Sequence, residues 1–167
     1  HAKITTTLDV ISGGRAFHGI GAGWFEAEHD AYGFRFPPLK ERFERLEDHL
    51  RIARAMFTEE QATVEGTHHS VRAAYNNPKP VRGDIPILVG GSGPKKTLRT
   101  VARHADGWNT NGTVETVKGQ LDILAGQRLS RWREGVGIEA RPRTRDIRVR
   151  KAITINRSPV ELYGFWR

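Results

Sequence analysis

The sequence predicts an α/β protein built on a parallel sheet. Three observations carry this. Helix-type and strand-type segments alternate along the chain, the pattern of strands joined by helical crossovers. Two short apolar runs, 16–22 and 85–89, lead directly into glycine-rich turns, Gly19-Ile20-Gly21-Ala22-Gly23 and Gly90-Gly91-Ser92-Gly93. Between them, Leu39, Phe43, Leu46, Leu50, Ala53 and Phe57 recur at alternating steps of four and three. That is one face of an amphipathic helix long enough to cross from one strand to the next. An open doubly wound sheet and a closed barrel both satisfy this order, because right-handed crossovers build either.

Taken in order, residues 2–11 place Ile4, Leu8 and Ile11 at helical spacing, and Ser12-Gly13-Gly14 ends the run. Residues 16–22 read as a strand. Residues 23–38 read as a long loop closed by Pro37-Pro38. The helix from Leu39 gains exposed-face support from Glu41 with Arg45 and Glu47 with Arg51, acid-before-base pairs four apart. Residues 62–71 read as a small hairpin about Gly66. Ile85-Pro86-Ile87-Leu88-Val89 is a buried-type strand. A helix is expected from Pro94, since proline suits the first helical position. Its inner side would carry Leu98, Val101, Ala102 and Ala105. Residues 106–110 form a short strand candidate. Val114, Val117, Leu121 and Leu124 mark a further helix with Thr113 as N-cap. The parity of Ile147, Val149, Ile153 and Ile155 suggests one more strand over 147–155.

Composition bounds the function classes. A chain of 167 residues with 37% hydrophobic and 28% charged side chains suits one globular domain rather than a disordered segment. No apolar run approaches the roughly 20 residues of a membrane span, so no membrane partner is expected. The absence of cysteine rules out disulfides, thiolate metal sites and a cysteine nucleophile, and fits a reducing cytoplasm. Residues 1–127 hold 16 basic and 15 acidic side chains, whereas 128–167 hold 11 and 4. The net charge of +8 therefore sits almost wholly in the last forty residues. A balanced body with a basic tail, lacking interleaved aromatics, argues against nucleic acid as the partner.

The glycine turns carry the chemistry. The first resembles a dinucleotide fingerprint, but G-x-G-x-x-G fails: counted from Gly19 the last position is Trp24, and from Gly21 it is Glu26. Its small residues permit close approach of a ligand or of packing side chains. In the second turn Lys95 stands where a phosphate-binding P-loop requires glycine before Lys-Thr. Gly91, Ser92 and Gly93 nevertheless expose backbone N–H groups at a helix start, where partial positive charge gathers. Lys95 and Lys96 oppose that dipole unless an anion lies near. A plain strand–helix turn with solvated lysines is the alternative.

The histidines say less. His68 and His69 would point to opposite faces of a strand. His49, among charged neighbours on a helix, reads as solvated. His29, in Glu26-Ala27-Glu28-His29-Asp30, suits acid–base work, a metal, or a polar loop cap, with the cap favoured. No catalytic residue can be assigned.

With both turns in view, the chain resembles the luciferase-like monooxygenase superfamily, and its coenzyme F420-dependent oxidoreductase branch in particular. The motifs are Leu8-Asp9-Val10-Ile11-Ser12-Gly13-Gly14-Arg15, Gly19 to Trp24, Glu28-His29, Tyr32-Gly33, Arg42-Phe43, Glu65-Gly66, Pro78-Lys79-Pro80, Pro86 to Gly91, and Ala105-Asp106-Gly107-Trp108. They cover about 2–125, in order. The resemblance implies a TIM (β/α)8 barrel of which this chain holds about strands four to six with flanking helices, strands one to three preceding His1. Sites of such barrels sit at the C-terminal ends of the strands. By the same resemblance, Gly91, Ser92 and Gly93 bind the phosphate of the deazaflavin, Gly21, Ala22, Gly23 and Trp24 line its ring pocket, and Ala27 lies with Glu28 at the rim. The implied chemistry is hydride transfer between a small organic substrate and C5 of coenzyme F420. FMN is the alternative cofactor, since the same turn would serve it.

The division expected is a partial barrel over 1–127 and a basic tail over 128–167. That tail reads as a divergent, out-of-frame or anion-binding extension. A non-catalytic remnant binding anions through it is the rival to an enzyme. With three strand–helix units where a barrel takes about 250 residues, the chain is expected to be incomplete and inactive alone. Its open sheet edges and uncovered apolar faces would favour oligomers or aggregation.

Overall fold

A computed structural model describes residues 1–135, with side chains through Gln127. Along the chain run α1 (Ala2–Ile11), β1 (His18–Ile20), α2 (Glu26–Ala31), α3 (Leu39–Thr58), β2 (Gln61–Val64), β3 (Val71–Tyr75), β4 (Ile87–Gly90), α4 (Thr97–His104), β5 (Gly107–Asn109) and α5 (Val114–Gly135). The strand suggested at 147–155 lies outside the described residues.

The fold is α/β, as the alternation predicts. β1, β4 and β5 form one parallel sheet in that order, with His18 opposite Ile87, and Leu88 opposite Gly107. β2 and β3 pair antiparallel as a separate hairpin. Ile87 and Val89 of β4 are buried, as are Leu46, Leu50, Ala53 and Phe57 on the inner face of α3. Leu98 and Val101 of α4 and Leu124 of α5 are buried too. Complete burial of each large side chain contributes about 1.5–3 kcal/mol. The predicted apolar stripe of α3 walls the core from Leu46 to Phe57, whereas Leu39 is exposed and Phe43 only partly buried.

Arg54 of α3 ties the N-terminal ends of β4 and β5 together. Its guanidinium pairs with Asp84, just before the strand segment, and with Asp106, just before β5. Asp106 also accepts the Ile87 N–H at 2.9 Å. Burial works against the Arg54 charge, but the two carboxylates outweigh it and raise its pKa.

Several local expectations are corrected. α1 forms where predicted, but Ile4, Leu8 and Ile11 are exposed, whereas Ala2, Thr6 and Asp9 are buried. Asp9 accepts the Ala16 and Val81 N–H groups, and the Asn76 amide donates to Thr6, so this polar face is satisfied by partners. The loop 23–38 contains the short helix α2. α4 starts at Thr97 rather than Pro94. The second hairpin strand begins only at Val71, because the buried Asp48 carboxylate gathers the N–H groups of Thr67, His68 and His69 into a turn. His68 and His69 consequently lie in that turn, where His68 meets Glu44 and His69 meets Arg45. Glu41 pairs with Arg45 as predicted, but Glu47 meets Arg103 and His104 while Arg51 donates to the Glu65 carbonyl.

Among the described residues no helix is long and apolar enough to cross a membrane. The apolar side chains left exposed include Ile4, Leu8, Ile11 and Phe17.

Candidate functional site

Parallel pairing puts the C-terminal ends of β1, β4 and β5 on one edge of the sheet. Gly21 leaves β1 against the end of β4: a Cβ there would stand 3.4 Å from the Gly90 carbonyl oxygen. Trp108 of β5 reaches the turn after β4, its indole N–H donating to the Gly91 carbonyl at 2.7 Å. The three strand ends named by the sequence are thus neighbours.

In the turn after β4, Gly91 adopts φ +123°, a conformation other residues rarely take, and a Cβ there would come 3.2 Å from Thr97 Cγ2. The carbonyls of this turn are all occupied. Besides Trp108 on Gly91, Gln120 donates to the Ser92 carbonyl at 3.0 Å and Gln127 to that of Pro94 at 3.2 Å. The Leu98 N–H donates to the Gly93 carbonyl at 3.1 Å. The Gly91 N–H is used as well, donating to the Asn109 carbonyl at 3.0 Å. Among the described residues no group accepts from the Ser92 or Gly93 N–H. With its acceptors tied down and two donors open in the loop ahead of α4, the turn presents net positive polarity, which suits an anion. Ser92 itself is exposed.

The β1 exit is organised differently. The Arg42 guanidinium of α3 donates to the Gly23 carbonyl and lies 4.1 Å over the Phe36 ring. Phe36 in turn meets His29 edge to face, with centroids 4.8 Å apart. His29 Nδ1 lies 3.0 Å from the Phe25 carbonyl, which can only accept, so Nδ1 carries the proton. His29 thus lies within α2, bonded back one turn to the carbonyl that opens the helix, rather than capping a loop. Arg35 and Arg45 both pair with Glu41, and the Arg45 hydrogen bond is the main cause that holds its carboxyl below the ordinary range. Trp24 is 71% exposed and leans on Phe25, and Ala27 is exposed on α2. No contact described joins Trp24 or Ala27 to the 91–93 turn.

Sequence reading missed Gln120 and Gln127. Their signal was spacing: seven residues apart, they share one face of α5. A recess of about 510 Å³ lies elsewhere, lined by Glu44, Glu47, Asp48, Arg51 and Arg103 among others. It sits among α3, α4 and the hairpin, and its charges are already engaged: Glu47 with Arg103, Asp48 with the Thr67 N–H, Glu44 with His68 and Arg51 with the Glu65 carbonyl. Parallel-sheet topology, not recess volume, locates the candidate site.

A parallel α/β unit with glycine turns gathered at its strand ends defines the class. The sequence matches the luciferase-like monooxygenase description over residues 1–159, and the chain belongs to that family. The match runs past residue 125, where the recognisable motifs stop. The chain is 39% identical over 109 residues to an uncharacterised protein of Mycobacterium tuberculosis, covering 65% of this chain and 38% of that one. It is 35% identical over 144 residues to an F420-dependent glucose-6-phosphate dehydrogenase of Kineococcus radiotolerans (86% and 40%). To an FMNH2-dependent dimethylsulfone monooxygenase of Pseudomonas putida it is 29% identical over 124 residues (74% and 34%). Among solved structures, an F420-dependent secondary alcohol dehydrogenase in complex with an F420–acetone adduct superposes with TM-score 0.64 at 21% identity, over 80% of this chain and 39% of that one. That likeness shows the fold. The chain spans about two fifths of the length of these relatives or less.

Proposed function

We propose that the chain is the central part of a luciferase-like barrel, about strands four to six over residues 1–127, in an oxidoreductase that uses coenzyme F420. In this reading the 91–93 turn holds the coenzyme phosphate. Ser92 and Gly93 give it their N–H groups, and Gly91 shapes the turn. Gly21, Ala22, Gly23 and Trp24 flank the deazaflavin ring, with Ala27 at the rim. The coenzyme supplies a hydride-accepting carbon, and the chain binds, orients and excludes water. A small organic molecule is the substrate class.

The observation that carries the reading is the polarity of the 91–93 turn, all acceptors engaged and two donors open in the loop ahead of α4. Relatives named as F420-dependent support the deazaflavin. The named FMNH2-dependent relative supports FMN as the second reading, since one turn would grip either phosphate.

The test is titration of F420 and of FMN, by fluorescence, into this chain and into a full-length version carrying the remaining strands. Micromolar binding by the full-length protein, weakened about tenfold or more by Ser92→Asp, supports the proposal; tenfold is about 1.4 kcal/mol. The tighter ligand of the two identifies the cofactor. Binding of neither, together with salt-sensitive binding of polyanions that needs residues 128–167, would favour the non-catalytic reading.

A further inference from the structure

A second polar cluster lies on the helix side of the sheet, away from the strand ends. His18 of β1, only 3% exposed, faces His49 of α3 with Nε2 to Nε2 at 2.9 Å. The ring planes differ by 6° and the centroids are 5.1 Å apart. That separation is close to the Nε2 contact plus two ring radii. The rings therefore meet edge to edge, nearly coplanar, in a direct imidazole–imidazole hydrogen bond.

Thr5 of α1 lies 2.9 Å from His18 Nδ1, with the His1 carbonyl 3.2 Å from the same hydroxyl. Of the two facing Nε2 atoms one carries the proton and donates, and the other accepts. His49 was expected to be solvated; it is instead half-buried and engaged. Around the pair, α1 contributes the His1 ring, 5.1 Å from that of His49. α3 contributes Arg54 and the Phe57 ring edge, and the hairpin turn contributes His69. β4 sets apolar Ile87 beside His18. The titratable neighbours named here are all cationic when charged.

We infer that the coplanar His18–His49 pair, held at its far end by Thr5, is an acid-sensitive latch that fastens α1 to β1 and α3 and releases it on protonation. The bond needs one donor and one acceptor. A proton added to the accepting Nε2 sets two N–H groups head to head in a cationic, partly buried setting, and the contact has to open. Burial lowers the His18 pKa; burial and then the His18 charge lower that of His49 to about 4. Both lie below the unfolded value of about 6.5, so the folded state binds fewer protons. Its contribution to stability is full above about pH 6.5 and is lost as pH falls toward about 4. For His49 alone, linkage gives about a 20-fold fall in the folding constant between pH 7 and pH 5.

Two measurements on the full-length protein test the latch. Denaturant titration at pH 7 and pH 5 should show that loss for the wild type and a smaller one for His49→Gln, in which His18 alone of the pair still titrates. Amide exchange at pH 5 should open α1 ahead of α3 in the wild type. Equal acid losses in both proteins, or exchange that opens all helices together, would overturn the inference. Should His49→Gln not fold, proton NMR titration of the wild type decides: two histidine resonances titrating well below 6.5 support the latch, and all of them titrating near 6.5 refute it.

Discussion

Asp48 offers the sharpest stability prediction. Its carboxylate is 3% exposed and accepts three backbone N–H groups, from Thr67 at 3.1 Å, His68 at 2.7 Å and His69 at 3.1 Å. Asp48→Asn keeps the shape but leaves one acceptor oxygen. With that oxygen at the Oδ2 position, the His68 and His69 bonds survive as neutral ones and the new NH2 opposes the Thr67 N–H. One orphaned donor costs about 1–3 kcal/mol, and weakening two charge-assisted bonds adds about 0.5 kcal/mol each. The expected loss is about 2–4 kcal/mol, or about 6–12 °C in melting temperature for a chain of this size. Calorimetry at pH 7 measures it. The pH dependence supplies a second readout. Burial pushes the Asp48 carboxyl up, but the backbone N–H groups and then Arg51 pull it further down, so its net pKa is lowered. Its contribution is therefore present above the unfolded carboxyl value of about 3.9 and disappears as pH falls through the folded one. Asp48→Asn should lack this acid-limb loss. A variant within 0.5 kcal/mol of wild type at pH 7 would refute the reasoning.

Arg54→Met should cost about 1–2 kcal/mol by urea titration, since the half-exposed network with Asp84 and Asp106 is lost while the stem packing is kept. No loss would mean the ion pairs contribute nothing beyond packing. Gly91→Ala forces a Cβ into a positive-φ site against Thr97 and should cost about 1–3 kcal/mol; an unchanged melting temperature would contradict that geometry. Trp24→Ala, at an exposed position, should leave the melting temperature within about 2 °C by the small size of surface effects. In the full-length protein it should weaken coenzyme binding by about 0.5–1.5 kcal/mol beyond lost area if the indole stacks on the ring. Unchanged affinity with a lowered melting temperature would make Trp24 a packing residue.

What the sequence made legible follows from which signals are local. The buried strand β4 and the α3 stripe came from period and residue type, because Ile87, Val89 and the Leu46-to-Phe57 face meet the core through apolar area alone, whereas the neighbouring of the three parallel strands came from the family resemblance. The inner face of α1 was not legible. Asp9 and Thr6 are buried by partners 7 to 72 residues away, and periodicity carries no record of such pairings. The late start of β3 has the same origin, since Asp48 acts on the turn from α3. At the candidate site the glycines announced a turn, but which of its polar groups stay open depends on Trp108, Gln120 and Gln127, none of them within the turn. The His18–His49 contact joins a strand to a helix 31 positions on, beyond any local pattern.

The central claim, that the turn after β4 grips the coenzyme phosphate, is tested most directly by following backbone amide resonances of the full-length protein as F420 is added. The account predicts large, saturable shifts at Ser92 and Gly93. Gly91, whose N–H is already given to Asn109, should respond far less. Saturable binding that leaves Ser92 and Gly93 unmoved, or that moves Gly91 most, would contradict it.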